Sequence, residues 1–201
     1  VTIEPNTEIV GGTGTATDYV VVEQGGKMIA DGRADNPIIM RGNEAKGRGE
    51  WGGLAINGFA PINDGDDAGT AQGEGDSGTY GGDDPTDNSG VYRYMIVSNA
   101  GFEFSPDNEL NGIAFQGVGS GTTVEYVQVH LNADDGIEPF GGTVNMKHIV
   151  LTGHGDDSFD WTSGYRGKAQ YVLVKQYTDD ADRGIEADND GDAPDATPRS
   201  A

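Results

Sequence analysis

Apolar residues along this chain come in short bursts, each closed by Gly, Asn or Asp. Tyr19–Val22, Pro37–Met40, Gly53–Ile56, Tyr92–Val97, Ile113–Phe115, Val124–Val129, Ile149–Leu151, Phe159–Trp161, Tyr171–Val174 and Ile185–Ala187 all read as short strands. Gly or Asp-Gly interrupts every stretch before apolar residues can recur at helical spacing, so no amphipathic helix is predicted. The pattern predicts an all-β chain.

The strands recur with a period. Asp134-Asp135-Gly136-Ile137-Glu138 returns as Asp156-Asp157-Ser158-Phe159-Asp160 and, more loosely, as Asp182-Arg183-Gly184-Ile185-Glu186. The apolar residue advances 24 positions from Ile113 to Ile137, 22 to Phe159 and 26 to Ile185. Self-similarity at this spacing is the signature of a stacked solenoid. Coils of this length, built from short strands and polar turns, fit a parallel β-helix whose strands stack at about 4.8 Å. An antiparallel sandwich is the competing reading. It would favour two-residue Asn-Gly or Asp-Gly hairpins between similar strands, and the only Asn-Gly pairs are Asn57-Gly58 and Asn111-Gly112.

One stretch breaks the period. Residues 63–90 are acidic, glycine-rich and nearly devoid of apolar side chains, which predicts a loop inserted in the solenoid and standing off it, ordered by bound ions. Residues 188–201 read as an acidic tail or inter-coil loop. The whole of 1–201 is expected to be one β-helix domain, part of a longer precursor.

Composition narrows the function classes. The 201 residues carry 34 Asp+Glu against 12 Lys+Arg, a formal charge of -22, which makes nucleic acid and anionic membrane poor partners. Without cysteine there is neither a disulfide framework nor a thiolate metal site. No apolar run approaches a membrane span. The opening Val1-Thr2-Ile3 is strand-like rather than a leader, as expected of a mature or trimmed chain.

Several segments carry a family resemblance. Val1-Thr2-Ile3-Glu4-Pro5, Gly25–Gly32 and Asn36–Ile39 resemble the start of a family of secreted bacterial right-handed β-helix proteins, many of them lipoproteins. Trp51–Gly58, Ala100–Glu103, Gly117–Thr123, Phe140–Asn145 and Gly155–Trp161 extend the resemblance over nearly the whole chain. It implies a right-handed parallel β-helix placed outside the cell or on its outer surface, in a largely uncharacterised family that supplies no reaction. It also implies further strands beyond a segment like Ala196–Ser200.

Candidate chemistry lies in the carboxylates. Asp188, Asp190, Asp192 and Asp195 crowd one glycine turn, and Asp64, Asp66 and Asp67 another. Ca²⁺ takes six to eight oxygens, so these turns are candidate calcium sites, although no EF-hand Glu or flanking helices accompany them. The repeat places Asp134, Asp156 and Asp182 on one edge of successive coils, with Glu138, Asp160 and Glu186 nearby. Like charges stacked at coil spacing repel by about 1 kcal/mol per pair even in water. The ladder is therefore expected to hold cations, share protons, or pair with Arg183 and Lys147. Paired carboxyls also suit glycoside hydrolysis, for which Asp156, Asp157, Asp182 and His154 are the candidates, yet no Arg-Ile-Lys and no basic cleft accompany them. His130, His148 and His154 lack metal-ligand spacing and read as packed or surface residues, whereas Tyr94, Tyr126 and Tyr171 occupy equivalent positions and predict a stacking ladder.

The sequence thus leads to a non-catalytic, calcium-stabilised surface or matrix module. It is expected to associate head to tail or in lattices and to meet cell-surface or matrix components. A polysaccharide-active enzyme or carbohydrate-binding module on the same scaffold is the alternative.

Overall fold

In the strand Gly90–Ser98, the buried side chains are Tyr92, Met95 and Val97. Strict alternation would place Met95 outward. Tyr94 takes a positive φ of 46°, which lets two successive residues face out and returns the second half of the strand to the core. The same device recurs in the three long strands that follow, at Tyr126, His148 and Tyr171, with φ of 55°, 59° and 61°. This shared kink organises the molecule.

The computed structural model describes residues 1–12, 17–105 and 108–201. The strands in chain order are β1 (Thr2–Ile3), β2 (Glu8–Gly11), β3 (Val20–Val22), β4 (Met28–Asp31), β5 (Ile38–Gly42), β6 (Leu54–Asn57), β7 (Ala71–Gln72), β8 (Thr79–Tyr80), β9 (Gly90–Ser98), β10 (Glu103–Ser105), β11 (Asn108–Glu109), β12 (Ile113–Gln116), β13 (Thr123–His130), β14 (Ile137–Phe140), β15 (Asn145–Thr152) and β16 (Lys168–Lys175). Two parallel sheets stack these strands coil upon coil. The first runs β1-β4-β9-β13-β15-β16, with β2 and β5 completing the early coils beside β9. The second runs β3-β6-β12-β14 and is prolonged by parallel bridges from Ile137 to Phe159 and from Phe159 to Ile185. This is a parallel β-helix, and the predicted column of Ile113, Ile137, Phe159 and Ile185 is in register. Phe159–Trp161 and Ile185–Ala187 contribute bridges rather than full strands. Among the described residues, no helix is long and apolar enough to cross a membrane.

The core lies between the sheets. Tyr92, Met95, Val97, Val124, Val129 and Leu151 point in from the first sheet, and Leu54, Ile56, Ile113, Phe115 and Ile137 from the second. Tyr92 meets Phe115 edge to face at 6.1 Å and places its hydroxyl on the Ser89 carbonyl, 3.1 Å away. Trp51, 1% exposed, closes one side and donates its indole N–H to the Ser98 carbonyl at 2.8 Å. Each fully buried side chain of this size contributes about 1.5–3 kcal/mol, so the thin core suffices because every coil repeats it. Gly53, at φ +87°, sits where a side chain would strike the Asn111 and Gly112 carbonyls of the next coil.

Residues 63–90 do not stand off the solenoid. They lie against the outer face of the second sheet, where β7 and β8 form an antiparallel hairpin around a 3-10 turn at Glu74–Asp76. The sheet supplies the partners that such a polar segment lacks. Asn57 donates to the Ser77 carbonyl at 2.8 Å, Gln116 accepts from the Glu74 N–H at 3.1 Å, and Tyr80 packs on Phe140 at 6.5 Å. The acidic tail also folds back. Asn63 donates to the Asn189 side chain and to the Pro198 carbonyl, and the Ala201 N–H reaches the Tyr165 carbonyl at 2.9 Å.

Candidate functional site

The turns that lead from the long strands of the first sheet into the second sheet carry the acidic repeat. Asp135 accepts a hydrogen bond from the Asp157 N–H of the next coil at 2.9 Å, and Asp157 accepts in turn from the Arg183 N–H one coil further. The second Asp of each repeat thus ties coil to coil. Gly136 stays side-chain-free because a Cβ there would meet the His154 ring and the Ser158 carbonyl.

These turns gather carboxylates into three overlapping triads: Asp134–Asp135–Asp156, Asp156–Asp157–Asp182 and Asp135–Glu138–Asp160. In each, the oxygen atoms lie within 4.8 Å of one another. The expected edge of Asp134, Asp156 and Asp182 is therefore present, with Glu138 and Asp160 joined to it through Asp135. Asp156 and Asp182 are exposed, whereas Asp135, Glu138 and Asp157 are buried. Burial first, then the charges of Asp134 and Asp160, push the Asp135 carboxyl up to about 9. Asp157 rises to about 7, chiefly through burial and then through its contact with Glu186. Glu138 is held well above the carboxylate range by burial and by Glu74, and Asp160 and Asp156 are raised mainly by burial. Arg183 is the nearby cation, 2.7 Å from Asp182, 3.0 Å from Glu186 and 3.8 Å from Asp157. Lys147, expected to share this role, instead lies on the first sheet, 5.7 Å above the Tyr171 ring. Its strand points it away from the turns.

The other predicted residues are placed differently. His154 is fully buried, its Nε2 3.2 Å from the Val129 carbonyl, and burial pushes its imidazole down to about 4. It is a core residue held neutral by burial, with its ring against Gly136 and closed off from solvent, whereas Asp156 and Asp182 are exposed. Asp190 accepts from the Asp192 and Ala193 N–H groups of its own turn, and Asp195 pairs with Arg199 at 2.6 Å. Asp64 accepts from the Ser163 hydroxyl at 2.8 Å, and Asp66 from the N–H groups of Ala68 and Thr70. Asp67 and Asp188 are exposed. Among the described residues, none of these groups falls in a carboxylate triad.

Sequence reasoning missed Glu74 and Asn111. Asn111, 1% exposed, donates to Glu74 at 2.8 Å and to Glu138 at 2.7 Å, while its Oδ1 has no hydrogen-bond partner. A cluster that offers carboxylate oxygens alone could hold a hard cation such as Ca²⁺. Asp134, Asp135, Asp156, Asp157 and Asp182 are the residues that would hold it on the exposed edge.

The comparisons agree with this architecture. A family model described as a pectate-lyase-like β-helix domain matches residues 1–201. No curated protein and no solved structure matches the chain.

Proposed function

Because the chain belongs to the pectate-lyase-like β-helix domain family and its coils crowd carboxylates into overlapping triads, we propose that it is a non-catalytic β-helix module of the cell exterior, stabilised by Ca²⁺. The single observation that carries this reading is that Asp156 belongs to two triads at once, on an exposed turn with one guanidinium for several carboxylates. Such a column is repulsive when ionised, and a divalent cation relieves it. Extracellular calcium modules work at Kd values of about 10⁻⁴–10⁻³ M, the range expected for an open turn.

The test is a thermal melt in EDTA and in millimolar Ca²⁺ at constant ionic strength. At a Kd of about 10⁻⁴–10⁻³ M, 1 mM Ca²⁺ stands roughly one- to tenfold above Kd and contributes about 0.4–1.4 kcal/mol, or roughly 1–6 °C for a chain of this size. Equal melting temperatures would refute the reading.

The enzyme alternative draws on one observation, the Asp157 carboxyl at about 7 beside exposed Asp156. A general acid must reach its substrate. Asp157 is buried, accepts from the Arg183 N–H of the next coil and is engaged with the Glu186 carboxylate. A polysaccharide panel decides: cleavage that is lost in Asp156→Asn with an unchanged melt would establish the enzyme and displace the structural role.

A further inference from the structure

The stack of coils leaves a sheet edge open on each side. Among the described residues, β16 pairs only with β15, while β1, β2 and β3 pair only with β4, β5 and β6. The backbone groups along the far side of β16 therefore meet no strand, and the same holds along the first coil. Apolar side chains crowd both surfaces. Tyr171, Leu173 and Ile185 are exposed on the last coil, and Ile3, Ile9 and Val20 line an apolar recess on the first.

Register and charge make the two surfaces complementary. Followed from strand to strand through the first sheet, the column that begins at Thr2 ends at Lys168, and the column that begins at Glu8 ends at Leu173. A second copy laid on β16 in that register would set Ile3 on Ala169 and Ile9 on Val174, and in the second sheet Val20 on Ile185. Every inward column would continue. Pro5 and Asn6 would loop past the kink at Tyr171, as residues 32–37 do at Tyr94. Lys168 and Lys175 stand at the two ends of β16 and, among the described residues, meet no carboxylate. Glu4 and Glu8, exposed on the first coil, would each fall one diagonal place from one of these lysines, within reach of a long side chain. Glu8 holds Arg41 through Oε1, which leaves its other oxygen for the lysine. Two β16 edges set antiparallel would oppose lysine to lysine, and two first coils glutamate to glutamate. Only unlike surfaces attract.

We infer that the first coil of one copy docks on β16 of another, so that copies of this chain assemble head to tail through continuous parallel sheets. An interface between unlike surfaces builds rings or filaments rather than a closed two-fold dimer. The formal charge of -22 opposes the approach of two copies. At about 0.15 M salt, however, exposed charges more than ~8 Å apart are largely screened, whereas lysine and glutamate in contact are not. The inference is independent of the calcium reading.

The test is sedimentation of the full chain over a concentration series in EDTA and about 0.15 M NaCl, so that no divalent ion bridges acidic surfaces. The mean mass should climb above 21.0 kDa as concentration rises. Lys168→Glu/Lys175→Glu carries acid on both surfaces and Glu4→Lys/Glu8→Lys carries base on both, so each alone should associate at least about tenfold more weakly. Mixing the two brings unlike surfaces together again and should restore the assembly. Thermal melts of the separate variants check that each is folded. If Glu4→Lys/Glu8→Lys does not fold, having lost the Arg41 pair, Glu4→Lys mixed with Lys168→Glu makes the same test at one pair. A parent chain that keeps the mass of one copy throughout, association that the variants leave unchanged, or a loss that mixing does not rescue would each overturn the inference.

Discussion

On the outer face of the first sheet, Tyr94, Tyr126, His148 and Tyr171 lie ring over ring, with centroids 4.6, 4.3 and 4.9 Å apart. On the outer face of the second, Glu138, Asp160 and Glu186 follow one another through the same coils. Both columns are products of one geometry, which repeats whatever residue it is given at the stacking distance. For aromatic rings each added coil contributes about 0.5–1.5 kcal/mol. For carboxylates each added coil adds repulsion, and the molecule answers with burial, proton retention, a guanidinium and the insert laid over them. A solenoid column is therefore self-stabilising or self-limiting according to its chemistry, and the carboxylate column needs a counter-charge to become an asset.

The largest effect should come from pH in the absence of divalent ions. Asp135, Asp157 and Glu138 are raised in the folded state. Their contribution is complete below the unfolded carboxyl value near 4 and is lost as pH rises through about 7 for Asp157 and about 9 for Asp135. In EDTA the melting temperature should fall between pH 4 and 9 by roughly 10 °C, on the order of 3 kcal/mol, and millimolar Ca²⁺ should flatten the decline. A flat profile in EDTA would show that the carboxylate column carries no strain.

Asp135→Asn sharpens the contrast. The amide oxygen can still accept from the Asp157 N–H while the charge is gone. In EDTA at pH 8 it should stabilise by about 1–2 kcal/mol, and near pH 4 by almost nothing. Comparing denaturant midpoints at the two pH values checks this, and a loss of stability at pH 8 would contradict it.

On the aromatic side the sign is reversed. Tyr126 stacks on two rings, and Asn tolerates its positive φ, so Tyr126→Asn isolates the stacking and should cost about 1–2 kcal/mol at any pH. Tyr171 has one ring neighbour and is 63% exposed. Tyr171→Asn should cost only about 0.5–1 kcal/mol. Equal losses at the two positions would mean that packing beneath the rings, rather than the stack, sets the cost.

The coil period was legible because apolar residues mark every turn of the helix, and Ile113, Ile137, Phe159 and Ile185 fall in register as their spacing predicts. The tyrosine ladder was legible for the same reason. His148 completes it, unseen because a histidine between tyrosines gives no periodic signal. The exposed edge of Asp134, Asp156 and Asp182 followed from the repeat as well. What escaped was the cover. Glu138 shares the Asn111 amide with Glu74, which comes from a segment whose composition resembles a solvated loop and whose partners, Asn57, Asn111 and Gln116, belong to other coils. Hydrogen bonds between distant polar side chains leave no trace in periodicity. The Asp188–Asp195 turn shows the converse. Its crowded carboxylates read as a site, yet Asp190 folds onto its own backbone and Asp195 onto Arg199, uses that composition does not distinguish.

The kink at Tyr94 also bears on how such a molecule changes length. Opposite Tyr94, the neighbouring coil holds no single residue. β4 pairs with β9 up to Arg93, β5 resumes at Met95, and residues 32–37 loop out between them, closed by the Arg33–Asn36 bridge. The left-handed position is thus a port at which sequence can enter without disturbing the pairing on either side. Deleting one residue within a half-strand would turn its inward side chains outward, whereas lengthening at the port leaves every core column intact. Peptides grafted in place of Tyr126 or His148 should be displayed in a row along one face, at the pitch of the coils.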